Sequence, residues 1–142
     1  MASIQEYVTN GLSQEPEDQY EGTALVSPAS ERAPARIKVI GVGGGGCNCV
    51  RRMLRHAVPG VTFAMVNTDI KALELDDPSV DIIQIGEKET HGWGAGGDYK
   101  AGARAAEEST SQLRRILSNA ELVFVTASMG GGTGTGAAPY VA

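Results

Sequence analysis

The chain has 142 residues, 42% of them apolar and 20% charged, which fits one soluble domain with its own core. Its net charge of −5 is local: residues 1–35 hold six acids and one base, and the rest is balanced, so the basic footprint of a nucleic-acid binder is absent. Two cysteines, Cys47 and Cys49, are too few for structural zinc or a disulfide framework, and no signal-like start or membrane span is visible, so a soluble cytoplasmic protein is expected.

Residues 1–35 are acidic and punctuated by Pro16, Pro28 and Pro34, the composition of a disordered tail, with at most a weak helix within residues 4–8. Order is expected over residues 36–142. Ile37-Lys-Val-Ile40 reads as a strand, broken by Gly41-Val-Gly-Gly-Gly-Gly46. A helix should follow from about Cys47 to Arg55, with Val50, Met53 and Leu54 on one face. Val61 to Val66 is a second strand that closes in Asn67-Thr68-Asp69, and a short helix is expected from Ile70 to Leu75. Val80 to Ile85 is a third strand, followed by a glycine-bearing loop from Gly86 to Gly97.

Tyr99 to Ser118 is expected as the longest helix, since Ala106, Ser109, Leu113, Ile116 and Leu117 recur at helical spacing. Leu122 to Ala127, short, uncharged and rich in β-branched residues, is a fourth strand. It runs into Ser128-Met-Gly-Gly-Gly-Thr-Gly-Thr-Gly136 and then a helix from Ala137, with Pro139 in its first turn.

Strands alternating with helices mean an α/β protein: a parallel sheet with crossover helices. Ligands of such sheets bind at the carboxyl ends of the strands, where every glycine-rich loop of this chain lies. Glycine lets backbone N–H groups approach an anion closely, and a following helix adds a favourable dipole. The rival for Gly130–Gly136 is a flexible linker, but linkers do not normally abut a buried strand.

Gly41, Gly43 and Gly46 match G-x-G-x-x-G, whose first association is a Rossmann-type dinucleotide-dependent oxidoreductase. A lysine-bearing P-loop is rejected, because Cys47 and Asn48 follow the glycines. Two glycine loops on neighbouring strand ends can hold one polyphosphate from two sides, with backbone donors and Mg²⁺ neutralising the charge. The third loop, Gly92-Trp-Gly-Ala-Gly-Gly97, either closes over the terminal phosphate or is an exposed connector.

Gly130-Gly-Gly-Thr-Gly-Thr-Gly136 resembles the signature loop of the tubulin superfamily, most closely its bacterial cell-division branch, the FtsZ family. The resemblance runs over Ile37 to Ala142. It includes Ile37 to Gly46, Asn48, Val66-Asn-Thr-Asp69, Gln84-Ile-Gly86, Gly94-Ala-Gly-Gly97, Ala105-Ala-Glu-Glu108 and Met129 to Pro139. It implies a Rossmann-like GTPase domain that uses GTP/GDP and Mg²⁺ and assembles head to tail into homopolymers at the division site. Membrane-tethering and regulatory proteins are the further partners it implies.

By the same resemblance Gly44, Gly45, Gly46, Cys47 and Asn48 contact the nucleotide. Gly132, Thr133 and Gly134 surround its α- and β-phosphates, and Ala95, Gly96 and Gly97 face the γ-phosphate. Asn67 and Asp69 border the pocket, with Asp69 a candidate for water or Mg²⁺.

Several positions depart from the family pattern. Cys47 and Cys49 stand where glycine and alanine are usual, and Cys47 has two readings: a thiol activated by the helix start or, favoured, a small packing residue. Trp93 replaces leucine, Asp98-Tyr99 replaces Asn-Pro, and Ala103 takes the place of an arginine, with Arg104 one position later. Asp98 is expected to add negative charge near the γ-phosphate.

The chain ends inside the helix after the signature loop, so a truncated domain is expected, without the base-reading segment or the acid that completes hydrolysis. In the family that acid comes from the neighbouring subunit, so no catalytic residue is expected here and the stretch alone should be inactive. A non-hydrolysing structural relative stands as a further alternative.

Overall fold

The computed structural model describes residues 34–56 and 58–142. The expected tail lies outside them, apart from Pro34 and Ala35, which carry no regular structure. Four strands form one parallel sheet: β1 (Ile37–Val42), β2 (Val61–Asn67), β3 (Val80–Gln84) and β4 (Leu122–Ala127). The helices are α1 (Gly43–Leu54), α2 (Glu87–Thr90), α3 (Tyr99–Glu108), α4 (Thr110–Leu117) and α5 (Gly132–Val141), with a 3₁₀ turn at Lys71–Leu73.

The strand order is β3-β2-β1-β4. The chain moves outward from β1 to β3 and then returns to the other side of β1. Val42 therefore stands in register with both Val66 and Ala127, so three strands end level, and the reversal of direction falls between β1 and β4.

Alternation along β2 sorts the core. Phe63 and Met65 pack with Cys47, Val50 and Leu73 under α1. Ala64 and Val66 face the opposite side, with Ile40, Val42, Ile83 and Ile85 against Ala105, Leu113, Ala137 and Val141 of the other helices. Both faces of the sheet are thus covered, as a parallel sheet requires.

The predicted strands are all present, and the helices differ from expectation at several boundaries. α1 and α5 start at Gly43 and Gly132, inside the glycine loops, rather than after them. Pro139 consequently sits within α5 and not in its first turn. The long helix expected from Tyr99 is interrupted at Ser109, whose hydroxyl accepts the N–H of Gly86 at 3.1 Å. The expected helix over residues 70–75 shrinks to the 3₁₀ turn, and the loop after β3 contains the one-turn helix α2. Among the described residues no helix is long and apolar enough to cross a membrane.

Candidate functional site

The two helices that start at the reversal point, α1 and α5, both begin without a side-chain cap and without an acid in the first turn. The first four N–H groups of a helix have no partner within it, and the dipole makes that end positive. Arg51 and Arg52 in the last turn of α1 complement the negative end of its dipole. Two such starts side by side are suited to an anion held by backbone alone.

The two loops touch. A Cβ on Gly43, whose φ is +71°, would lie 2.7 Å from the Gly134 nitrogen. Gly45 is pressed against Ser128 and Gly46 against the carbonyl of Thr126, so the start of α1 sits directly on the end of β4. Gly44, Gly130 and Gly131 have no protein atom within 4 Å of where a Cβ would point, which leaves open space beside the contact. No lysine or arginine occurs in residues 41–48 or 128–136.

Both threonines of the second loop have their hydroxyls committed to other groups. Thr133 Oγ1 lies 2.6 Å from Thr68 Oγ1, and Thr135 Oγ1 accepts the N–H of Gly130 at 2.9 Å. The backbone N–H groups of Gly132, Thr133 and Gly134 are what this loop offers to a ligand. Thr68 had no role in the sequence reading. Its only signal is its place in Asn67-Thr68-Asp69, directly after β2.

Cys47 is fully buried, with Sγ near the carbonyls of Gly41 (3.7 Å) and Val66 (3.8 Å). Burial pushes its thiol up to about 11, against a smaller opposing pull from the charge of Arg51 and the carbonyl of Val66. The activated-thiol reading therefore fails and the packing reading holds, because desolvation outweighs the helix start. Asn48 is exposed and accepts from Arg51 at 3.2 Å. Arg51 in turn donates to the Ala72 carbonyl at 2.6 Å, tying α1 to the 3₁₀ turn.

Asn67 is buried and folds its carbonyl oxygen back onto the N–H of Thr68 at 2.9 Å. Asp69 is half-buried, and its Oδ1 accepts from the Lys71 N–H at 2.9 Å, at the start of the 3₁₀ turn. Among the described residues no three metal-ligating side chains cluster. A cation at Asp69 would have to complete its shell from phosphate oxygens and water.

The third loop joins the site at its rim. Asp69 and Trp93 form an isolated antiparallel bridge, and the Ile70 N–H donates to the Gly92 carbonyl at 3.2 Å. Trp93 is 81% exposed, with Lys71 Nζ 6.0 Å from its ring. Ala95 abuts Gly132, where a Cβ would meet it at 2.8 Å, while Gly96 and Gly97 face open space.

Asp98 accepts the Lys100 N–H at 2.8 Å and thereby caps α3. Asp98 thus serves as the cap of that helix, with Arg104 3.9 Å from its carboxylate. Arg104 is held by Glu89 rather than by the loops, through Nε at 2.8 Å.

A model of the Tubulin/FtsZ family, GTPase domain, matches residues 36–142. Among solved structures, the chain is similar to a mutant form of FtsZ from M. jannaschii, with 40% identity and a TM-score of 0.71 over 75% of this chain and 32% of that one. The empty FtsZ dimer from M. jannaschii is 32% identical, with a TM-score of 0.70 over 99% of this chain and 36% of that one. CetZ2 from Haloferax volcanii, in a GTPγS-bound protofilament, is 31% identical, with a TM-score of 0.64 over 75% of this chain and 34% of that one. The chain thus spans about a third of the length of each.

Proposed function

The chain belongs to the Tubulin/FtsZ family through its GTPase domain, and from that premise we propose that it is the phosphate-holding part of a polymerising GTPase of the cell-division type. The observation that carries this reading is the pair of uncapped, acid-free helix starts of α1 and α5, in contact through Gly43 and Gly134. A guanine nucleotide fits these residues: open space lies over Gly44, Gly130 and Gly131, and the donors around it are backbone N–H groups.

In this reading Gly44, Gly45, Gly46, Cys47 and Asn48 hold the nucleotide from one side, the first four through their backbone and Asn48 through its exposed amide. Gly132, Thr133 and Gly134 hold it from the other. Ala95, Gly96 and Gly97 face the γ-phosphate, and Asn67 and Asp69 border the pocket, with Asp69 beside any Mg²⁺. Hydrolysis is completed by a neighbouring subunit in a head-to-tail polymer at the division site, with tethering and regulatory partners there. The GTPγS-bound protofilament of CetZ2 and the FtsZ dimer support both the guanine nucleotide and the self-association. Positioning and charge stabilisation dominate phosphoryl transfer, so a site divided between two subunits suits that chemistry.

The dinucleotide reading of Gly41–Gly46 is set aside by the family match, which also accounts for the second glycine loop. A relative that binds without turnover is separated by experiment. Calorimetry of the full-length protein with GTP, GDP, ATP and NAD should give guanine nucleotides the tightest binding, and NAD binding tighter than GTP overturns the proposal. GTP turnover that rises steeply with protein concentration supports completion between subunits; turnover strictly proportional to concentration, or none, argues against it.

A further inference from the structure

Residues 130–136 contain five glycines, so only Thr133 and Thr135 have side chains that can anchor this stretch. Thr135 is committed to the N–H of Gly130, within the loop itself. Thr133 is the one anchor to another element: its hydroxyl and that of Thr68 are 2.6 Å apart, with Thr68 fully buried and Thr133 8% exposed. Each hydroxyl has one proton and two lone pairs, so one donates and the other accepts.

Thr68 has a second partner. Its carbonyl accepts from the Thr90 hydroxyl at 3.4 Å, and Thr90 also reaches the Gly86 carbonyl at 3.0 Å. Thr90 ends α2, immediately before the third loop. Thr68 therefore bridges the second glycine loop and the root of the third from beneath, out of reach of any ligand.

We propose that Thr68 is a positioning residue, whose hydroxyl, through Thr133, sets the direction of the Gly132–Gly134 N–H groups toward bound phosphate. The inference rests on the reading of the two loops as a guanine-nucleotide site. Without the Thr68 hydroxyl, Thr133 loses the side-chain hydrogen bond that ties the first turn of α5 to the end of β2, and the glycines beside it carry no side chain to replace that tie. Misdirected donors weaken steeply with angle.

The test is calorimetry on the full-length protein with GTP, GDP and guanosine. Thr68→Val keeps the shape and removes the hydroxyl, whereas Thr68→Ser keeps the hydroxyl. Thr68→Val should bind GTP and GDP on the order of tenfold more weakly, with guanosine unchanged, and Thr68→Ser should restore binding to within about twofold. The double variant Thr68→Val/Thr133→Val leaves no orphan hydroxyl, so it should melt near wild type yet bind phosphates as weakly as Thr68→Val. That pair of results is not produced by a purely structural role, and the double variant carries the test if Thr68→Val fails to fold. Wild-type affinity for GTP in either valine variant, equal losses for guanosine, or a serine variant as weak as valine would overturn the assignment. A wild-type protein that binds no guanine nucleotide overturns the site reading beneath it, and is told apart because it needs no variant.

Discussion

Gly43 and Gly134 meet so closely that a methyl group on the first would stand 2.7 Å from the backbone nitrogen of the second. This contact makes one site of two loops, and it is intolerant of any side chain. Gly43→Ala should cost about 2 kcal/mol or more, through a left-handed φ of +71° and the clash together. Gly44→Ala meets open space, so it should melt near wild type while losing nucleotide affinity, because its methyl enters the cradle. Thermal melts and calorimetry on both variants separate the two effects; equal melting temperatures would refute the distinction.

Cys47 and Cys49 should differ sharply toward alkylating reagents. Cys49 is exposed and Cys47 buried, with its thiol raised from 9.0 to about 11. Native protein at pH 8 should be modified at Cys49 alone, and at Cys47 only in denaturant, as mass spectrometry of the peptides would read. The raised value also sets a sign for stability. The folded protein keeps this proton longer than the unfolded chain, so its contribution is full below pH 9 and lost as pH rises toward 11. The loss should reach about 2–3 kcal/mol, and Cys47→Ala should remove that slope.

Glu89 and Arg104 fasten α2 to α3 on either side of the third loop. Glu89 Oε1 accepts from Arg104 Nε at 2.8 Å, and Glu108 accepts the N–H groups of Lys88 and Glu89 at 3.1 and 3.3 Å. The Arg104 hydrogen bond holds the Glu89 carboxyl below its ordinary value. The contact is therefore kept above the usual glutamate range and lost as pH falls through the depressed value. Glu89→Gln should speed amide exchange in residues 91–97 with little change in melting temperature, since exposed pairs add little to global stability. Unchanged exchange would show that the pair does not restrain the loop.

Lys38 is 8% exposed, and its ammonium lies 2.7 Å from Asp81 Oδ2, linking β1 to β3 across β2. Removing the acid leaves the largely buried lysine without its partner, but Asp81 is 53% exposed and solvent screens the pair, so Asp81→Asn should destabilise by about 1 kcal/mol. Lys38→Met removes the charge and keeps the packing, and should cost less. Urea unfolding of the two variants checks the order; a larger loss for Lys38→Met would reverse it.

The strands were legible because their signals are local: β-branched-rich apolar runs such as Leu122–Ala127 lead into glycine-bearing loops. The helix starts were not. Glycine is among the poorest helix formers, so a sequence reading begins α1 at Cys47 and α5 at Ala137. In the structure α1 already runs from Gly43, and Gly46 lies so close to the Thr126 carbonyl that no side chain fits there. The break at Ser109 was equally hidden, since its cause is the N–H of Gly86 on another element. The glycine loops were found as candidate site residues, but the inward turn of Thr133 onto Thr68 was not, as neither sequence neighbourhood names the other.

By itself, the order of residues determined four strands, the helices between them and the clustering of glycine at the carboxyl ends, because each depends on neighbours a few positions away. Only the tertiary structure decided that β4 lies beside β1, and therefore that the loops after them share one space. Strand order follows from which faces bury one another, a non-local balance that no short window of sequence contains. The same balance turned two runs of glycine into helix starts that meet at Gly43 and Gly134.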